Sequence, residues 1–121
     1  MFDIDKLENK KIWVEHPKGY GDRYLIKYIP SAVIKMEIAR DESRKQEKNY
    51  NENAPDGWVT RIVCQAVVDW EGLVKEGKPW PCTDENKQIF FSTYIEWADF
   101  ILMKCRDEKL FFGNIEEELK N

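Results

Sequence analysis

The residues of this chain that could do chemistry are few, and none has a partner close in sequence. His16 is the one histidine. It precedes Pro17 at the end of a β-rich run, and a general base needs an orienting group within hydrogen-bond reach. Nothing nearby supplies one, so His16 reads as a structural or solvent-exposed side chain. The cysteines Cys64, Cys82 and Cys105 are odd in number and widely spaced, with no C-x-x-C pair. With one histidine they make no zinc set, and reduced thiols in a cytoplasmic compartment are the economical reading. Cys82 alone has a case as a nucleophile. It lies just before a predicted helix start, where a thiol pKa can fall; an inert thiol in a turn is the simpler account. The carboxylates Asp69, Glu71, Asp84, Glu85, Glu116, Glu117 and Glu118 fall at solvent-facing or capping positions, and Asp84 with Glu85 suits the first turn of a helix. Gly19 and Gly21 form only G-x-G, short of a phosphate-binding fingerprint. The expectation is a protein without catalytic residues, metal or cofactor, so not an enzyme.

Charge narrows the partners. The 19 basic and 23 acidic residues give a net charge of −4, which argues against binding to a phosphate backbone. The one basic run, Arg40-Asp41-Glu42-Ser43-Arg44-Lys45-Gln46-Glu47-Lys48, is interleaved with acids and reads as a solvated helix face. No apolar run approaches the roughly 20 residues needed to cross a bilayer. The start, Met1-Phe2-Asp3-Ile4-Asp5-Lys6-Leu7, has no signal-peptide core. A location in the cytoplasm follows as an expectation. Aromatic residues make up 13% of the chain; they either fill a small core or supply anchors for a contact surface.

The length of 121 residues suits one domain. Residues 1–10 are polar, a loose arm or a short helical turn. The β-branched and aromatic runs 11–16 and 23–29 flank a glycine-bearing loop and predict a hairpin over about 11–29. Pro30-Ser31 opens a predicted helix over about 30–47. Residues 49–57 are turn formers and the first candidate for a flexible linker. Trp58, Ile62, Val63, Ala66, Val67 and Trp70 follow helical spacing and predict a helix over 57–71. A Gly-Lys-Pro-Trp-Pro reversal (77–81) follows. Thr83, a good N-cap, then starts a helix over 83–106 whose apolar stripe is Ile89, Phe90, Tyr94, Trp97, Phe100 and Ile101. A last helix spans about 109–120. The predicted class is α+β: an N-terminal β-hairpin packed on a bundle of three to four α-helices.

The segments Val68-Asp69-Trp70-Glu71-Gly72-Leu73-Val74, Glu76-Gly77-Lys78-Pro79, Pro81-Cys82-Thr83-Asp84-Glu85-Asn86-Lys87 and the ending Glu116-Glu117-Glu118-Leu119-Lys120-Asn121, behind a short β unit with Trp13-Val14 and Arg23 to Tyr28, resemble tailed-phage and prophage tail assembly chaperones. The resemblance covers most of the chain, with its weight on residues 58–121. It implies a non-enzymatic adaptor that keeps a long tape measure protein soluble and recruits tail-tube subunits to it. Members are often made in a short and a frameshifted longer form. A helix face laid against the partner's apolar face would do this, and Phe111, Phe112, Ile115 and Leu119 are the candidate contacts, unless they close the domain's own core. Self-association into a homo-oligomer stays open. The competing readings are a structural tail or head–tail component and a host-directed inhibitor.

Overall fold

A computed structural model describes residues 2–113. The chain folds as α1 (Ile4–Asn9), β1 (Lys11–Glu15), β2 (Arg23–Lys27), α2 (Ser31–Arg40), a 3-10 turn (Glu42–Arg44), α3 (Trp58–Ala66), β3 (Val67–Glu71), β4 (Val74–Lys75), β5 (Lys78–Pro79), α4 (Asp84–Thr93) and α5 (Ile95–Cys105). Residues 108–113 are again helical. Asp107 caps that segment through Oδ1, which accepts from the Lys109 and Leu110 amides at 3.0 and 3.2 Å. The fold is mixed α+β.

The predicted hairpin forms, with Val14 opposite Tyr24 and Ile12 opposite Ile26. It is two strands of a three-stranded antiparallel sheet, because β3 pairs with the other edge of β2. A bare hairpin would be marginal. Here Val14, Tyr24, Ile26, Val67 and Trp70 are buried together with apolar side chains of α3, α4 and α5. The outward-facing Arg23 lies 4.3 Å from the Trp13 ring and donates to Glu71 at 2.7 Å, tying all three strands together. The Ile29 amide donates to the Cys105 carbonyl at 2.9 Å and fastens the end of β2 to α5.

The predicted helix over 57–71 is corrected: it stops at Ala66, and residues 67–71 are a strand. The apolar spacing that suggested a longer helix has another origin. In the β2–β3 register Leu25 faces Asp69 and Ile26 faces Val67, so Val68 is an extra, outward residue. A bulge of this kind puts two successive residues on one side. Val67 and Trp70, three apart, therefore both point inward, imitating a helical interval. Lys87 fixes the switch. Its buried ammonium donates to the Cys64 and Val67 carbonyls, each at 2.9 Å, and so satisfies acceptors at the end of α3.

Three further boundaries differ from expectation. The helix expected over 30–47 leaves α-geometry after Arg40, where Asp41 turns inward with 1% exposure. Its carboxylate accepts from the Trp58 amide at 2.9 Å, from the Tyr50 hydroxyl at 3.0 Å and from Arg61 at 3.0 Å. Asp41 thereby caps α3, whose own N-cap, Gly57, has no side chain to do so. Gly57 is dictated by space, since a Cβ there would lie 2.2 Å from the Glu52 carbonyl oxygen. The segment 49–57 is accordingly held down and is not a linker. Thr60 donates to the Asn53 carbonyl at 3.1 Å, Asp56 pairs with Arg44 at 2.8 Å, and Gln88 donates to the Pro55 carbonyl at 2.8 Å.

The helix expected over 83–106 is two, broken at Tyr94 (φ −104°, ψ 80°). The Ser92 and Thr93 hydroxyls both donate back to the Ile89 carbonyl, at 3.2 and 2.7 Å, in competition with the helical backbone. Thr83 caps α4 as expected, accepting from the Asn86 amide at 3.1 Å. The Gly-Lys-Pro-Trp-Pro reversal is part of a small β4–β5 hairpin. Glu76 and Gly77 both have positive φ, 54° and 79°, as a type I′ turn requires.

Candidate functional site

The expected contact residues at the C-terminus divide. Phe111 is fully buried and packs its ring 5.5 Å from Tyr28, so it belongs to the core and offers no surface. Phe112 is half-buried between Tyr28 and Phe2, at 5.2 and 5.6 Å. Ile115 and Leu119, like Glu116, Glu117 and Glu118, lie outside the described residues.

The side chains with chemical potential are built into the structure instead. His16 is buried, stacked 4.4 Å from the Trp97 ring, and its Nδ1 accepts from the Lys18 amide at 3.2 Å. Burial pushes the thiols of Cys64 and Cys82 up to about 11 and that of Cys105 to about 12. For Cys82, ahead of α4, desolvation outweighs the nearby Lys87 charge, the one influence that lowers its pKa. Among the described residues no three His, Cys, Asp or Glu side chains are grouped to hold a metal ion, and no helix is long and apolar enough to cross a membrane.

What the fold does form is an open aromatic cleft of about 500 Å³ between the β4–β5 hairpin and the α4–α5 corner. The helix-to-strand switch at Ala66 sets it up. Because 67–71 is extended, Trp70 reaches under the hairpin. Its indole donates to the Trp80 carbonyl at 2.6 Å and its ring stacks 5.4 Å from that of Trp80. Gly72 then lets the chain turn with φ +84°, pressed so close to the β1–β2 loop that a Cβ would lie 2.3 Å from the Gly21 carbonyl oxygen. The break at Tyr94 rotates α5 so that Tyr94 and Trp97 meet edge to face at 6.0 Å on the opposite wall. Phe90 is the packed base between the walls, 6.0 Å from Trp80 and 6.3 Å from Trp97.

The lip of this cleft is apolar and exposed. Tyr20, Val74, Ile89 and Tyr94 are 67%, 64%, 45% and 53% accessible. Exposed Leu-type side chains scattered singly need no explanation, but a contiguous apolar patch around a concavity does. One charged group lies in its lining without being exposed: Asp22, at 4%. Asp22 Oδ2 accepts from the Tyr24 hydroxyl at 2.5 Å and from the Trp97 indole at 2.8 Å. Burial raises the pKa of this carboxyl. The bonds from Tyr24 and Trp97, with its own amide and nearby His16, outweigh that and hold it below the usual carboxylate range. Burial and the adjacent Asp22 together push the Tyr24 phenol far up. At the outer edge Lys75 sits 5.1 Å from the Trp80 ring, and Lys18 pairs with Glu96 at 2.8 Å.

The sequence pattern did not single out this group of residues. Tyr94 and Trp97 lie on a helical stripe and so read as core, and Asp22 reads as a turn former. The one usable signal was the 13% aromatic content, which could supply anchors for a contact surface as well as fill a core. No family model matches this chain, and no match was found among curated proteins or among solved structures.

Proposed function

We propose that this protein is a non-catalytic, protein-binding adaptor of the tail assembly chaperone kind, which covers an apolar segment of a tape measure protein and brings tail-tube subunits to it. The observation that carries the reading is the aromatic cleft: exposed Tyr20, Val74, Ile89 and Tyr94 surround a concavity floored by Phe90 and walled by Trp80 and Trp97. Its size and lining suit the apolar face of one helix, docked through side chains at successive turns. Large rings with few rotors are favoured anchors because they lose little entropy on binding. The buried, high-pKa thiols and the stacked His16 favour binding over group transfer. The cleft replaces Phe111 as the docking surface in this proposal.

The test is a tagged pull-down from the producing cell during phage or prophage induction, with partners identified by mass spectrometry, run beside an Ile89→Asp variant. A very long, helix-rich partner that is lost in Ile89→Asp, with the chain absent from finished particles, supports the proposal. Recovery of the chain within purified particles would make it a structural subunit, and one folded host enzyme as partner would make it an inhibitor.

A further inference from the structure

We propose that the cleft reads a cation: an arginine or lysine side chain, standing among apolar residues of the bound segment, is set against the Asp22 carboxylate. This rests on the adaptor reading and names the chemistry of the partner at the same cleft. Asp22 uses only half of its carboxylate. Oδ2 takes two hydrogen bonds, whereas Oδ1 is buried and takes none from another described residue. Burying an ionised carboxylate with unmet lone pairs is costly, and a guanidinium or ammonium meets them with a charge-assisted bond. Both bonds to Oδ2 come from neutral donors, so among the described residues the negative charge has no countercharge in direct contact. Nearby His16 spends its Nδ1 on the Lys18 amide.

The surroundings favour a cation over a neutral donor. Tyr20, Trp80, Tyr94 and Trp97 all line the cleft, and aromatic faces attract positive charge. The chain's own Lys75 and Lys18 already lie near two of these rings, at 5.1 Å from Trp80 and 5.8 Å from Trp97. Tyr20 supplies the way in. It stands between Gly19 and Gly21, is mostly exposed, and covers Trp97 only by a stack at 6.2 Å. In this proposal the exposed ring swings outward and lets a long basic side chain reach Asp22.

Two capped peptides test this against the full chain: acetyl-Ala-Leu-Arg-Leu-Ala-amide and the same peptide with glutamine for arginine. Binding is followed by the NMR signals of the indole N–H groups of Trp97, which bonds Asp22, and of Trp80. The expected result is at least about fivefold tighter binding of the arginine peptide, with the Trp97 signal moving most and the preference shrinking in high salt. In Asp22→Asn the two peptides should bind alike. The comparison between peptides on the unaltered chain stands even if that variant fails to fold. Equal binding of both peptides to the unaltered chain would overturn the cation reading and leave the adaptor reading intact. If neither peptide moves either indole signal, both readings of the cleft fall.

Discussion

Removing the carboxylate of Asp41 should unfold the protein more readily than any other single change at a polar site outside the cleft. Asp41→Ala takes away three bonds at once. The cap on the Trp58 amide is worth about 1 kcal/mol, and the bond from the Tyr50 hydroxyl about 1 kcal/mol. Breaking a buried pair outright costs roughly 3–5 kcal/mol. Arg61, however, keeps Glu37 at 2.6 Å and is partly exposed, so the loss there is about 1–1.5 kcal/mol. The expected destabilisation is about 3–3.5 kcal/mol, which for an m-value of about 1.5 kcal/mol/M lowers the urea midpoint by about 2 M. Asp41→Asn keeps the volume and one acceptor and should lose about half as much. Equilibrium urea unfolding at pH 7, read by tryptophan fluorescence, measures both. A pH series adds an independent arm. Burial raises the Asp41 pKa, but bonds from Arg61 and Tyr50, the Arg61 charge and the Trp58 amide pull it below its ordinary value. A depressed folded pKa contributes stability above the unfolded value of about 3.9, and that contribution is lost as pH falls through the folded value. The gap between wild type and Asp41→Asn should therefore be constant from about pH 5 to 8 and close in stronger acid. A loss below about 1 kcal/mol for Asp41→Ala at pH 7, with m unchanged, would refute the assignment of Asp41 as the remote cap of α3.

Other outcomes follow from the same reasoning. Lys87→Met keeps the apolar stem but leaves the Cys64 and Val67 carbonyls without their donor, and should cost about 2–3 kcal/mol by thermal unfolding; a loss under about 0.5 kcal/mol would contradict its role at the helix-to-strand switch. Gly72→Val faces both a φ of +84° and a contact with the Gly21 carbonyl, and should cost about 2–4 kcal/mol in the same assay. The native thiols, raised to about 11 to 12, should react with a disulfide reagent at pH 8 at least about tenfold more slowly than free cysteine, with full reactivity only in urea. Ile89→Asp, at an exposed position, should leave the unfolding free energy from urea within about 0.5 kcal/mol of wild type while abolishing partner binding.

How much of this was legible in the sequence depended on whether a signal was local. Thr83 as a cap and the β1–β2 hairpin rest on residues adjacent in the chain, and these formed as the residue types predicted. The end of α3 was not legible, because its causes lie elsewhere. Lys87 comes from α4, and the bulge at Val68 exists only against β2. The packing of residues 49–57 likewise depends on Asp41 and Gln88, so turn composition alone read as a linker. The cleft was hidden for a related reason. Tyr94 and Trp97 fit a helical stripe, and only the break at Tyr94 turns that stripe outward to face the β4–β5 hairpin.

The most direct test of the central claim is site-specific photocrosslinking in induced cells. A benzophenone amino acid replaces Tyr94 in the cleft wall or, as a control, the exposed Met36 on α2, which is not part of the cleft lining. Adaptor binding through the cleft predicts a strong crosslink from position 94 to one long, helix-rich protein, absent from position 36 and suppressed by Ile89→Asp. Equal crosslinking from both positions, or none from position 94 in cells where the partner co-purifies, would contradict it.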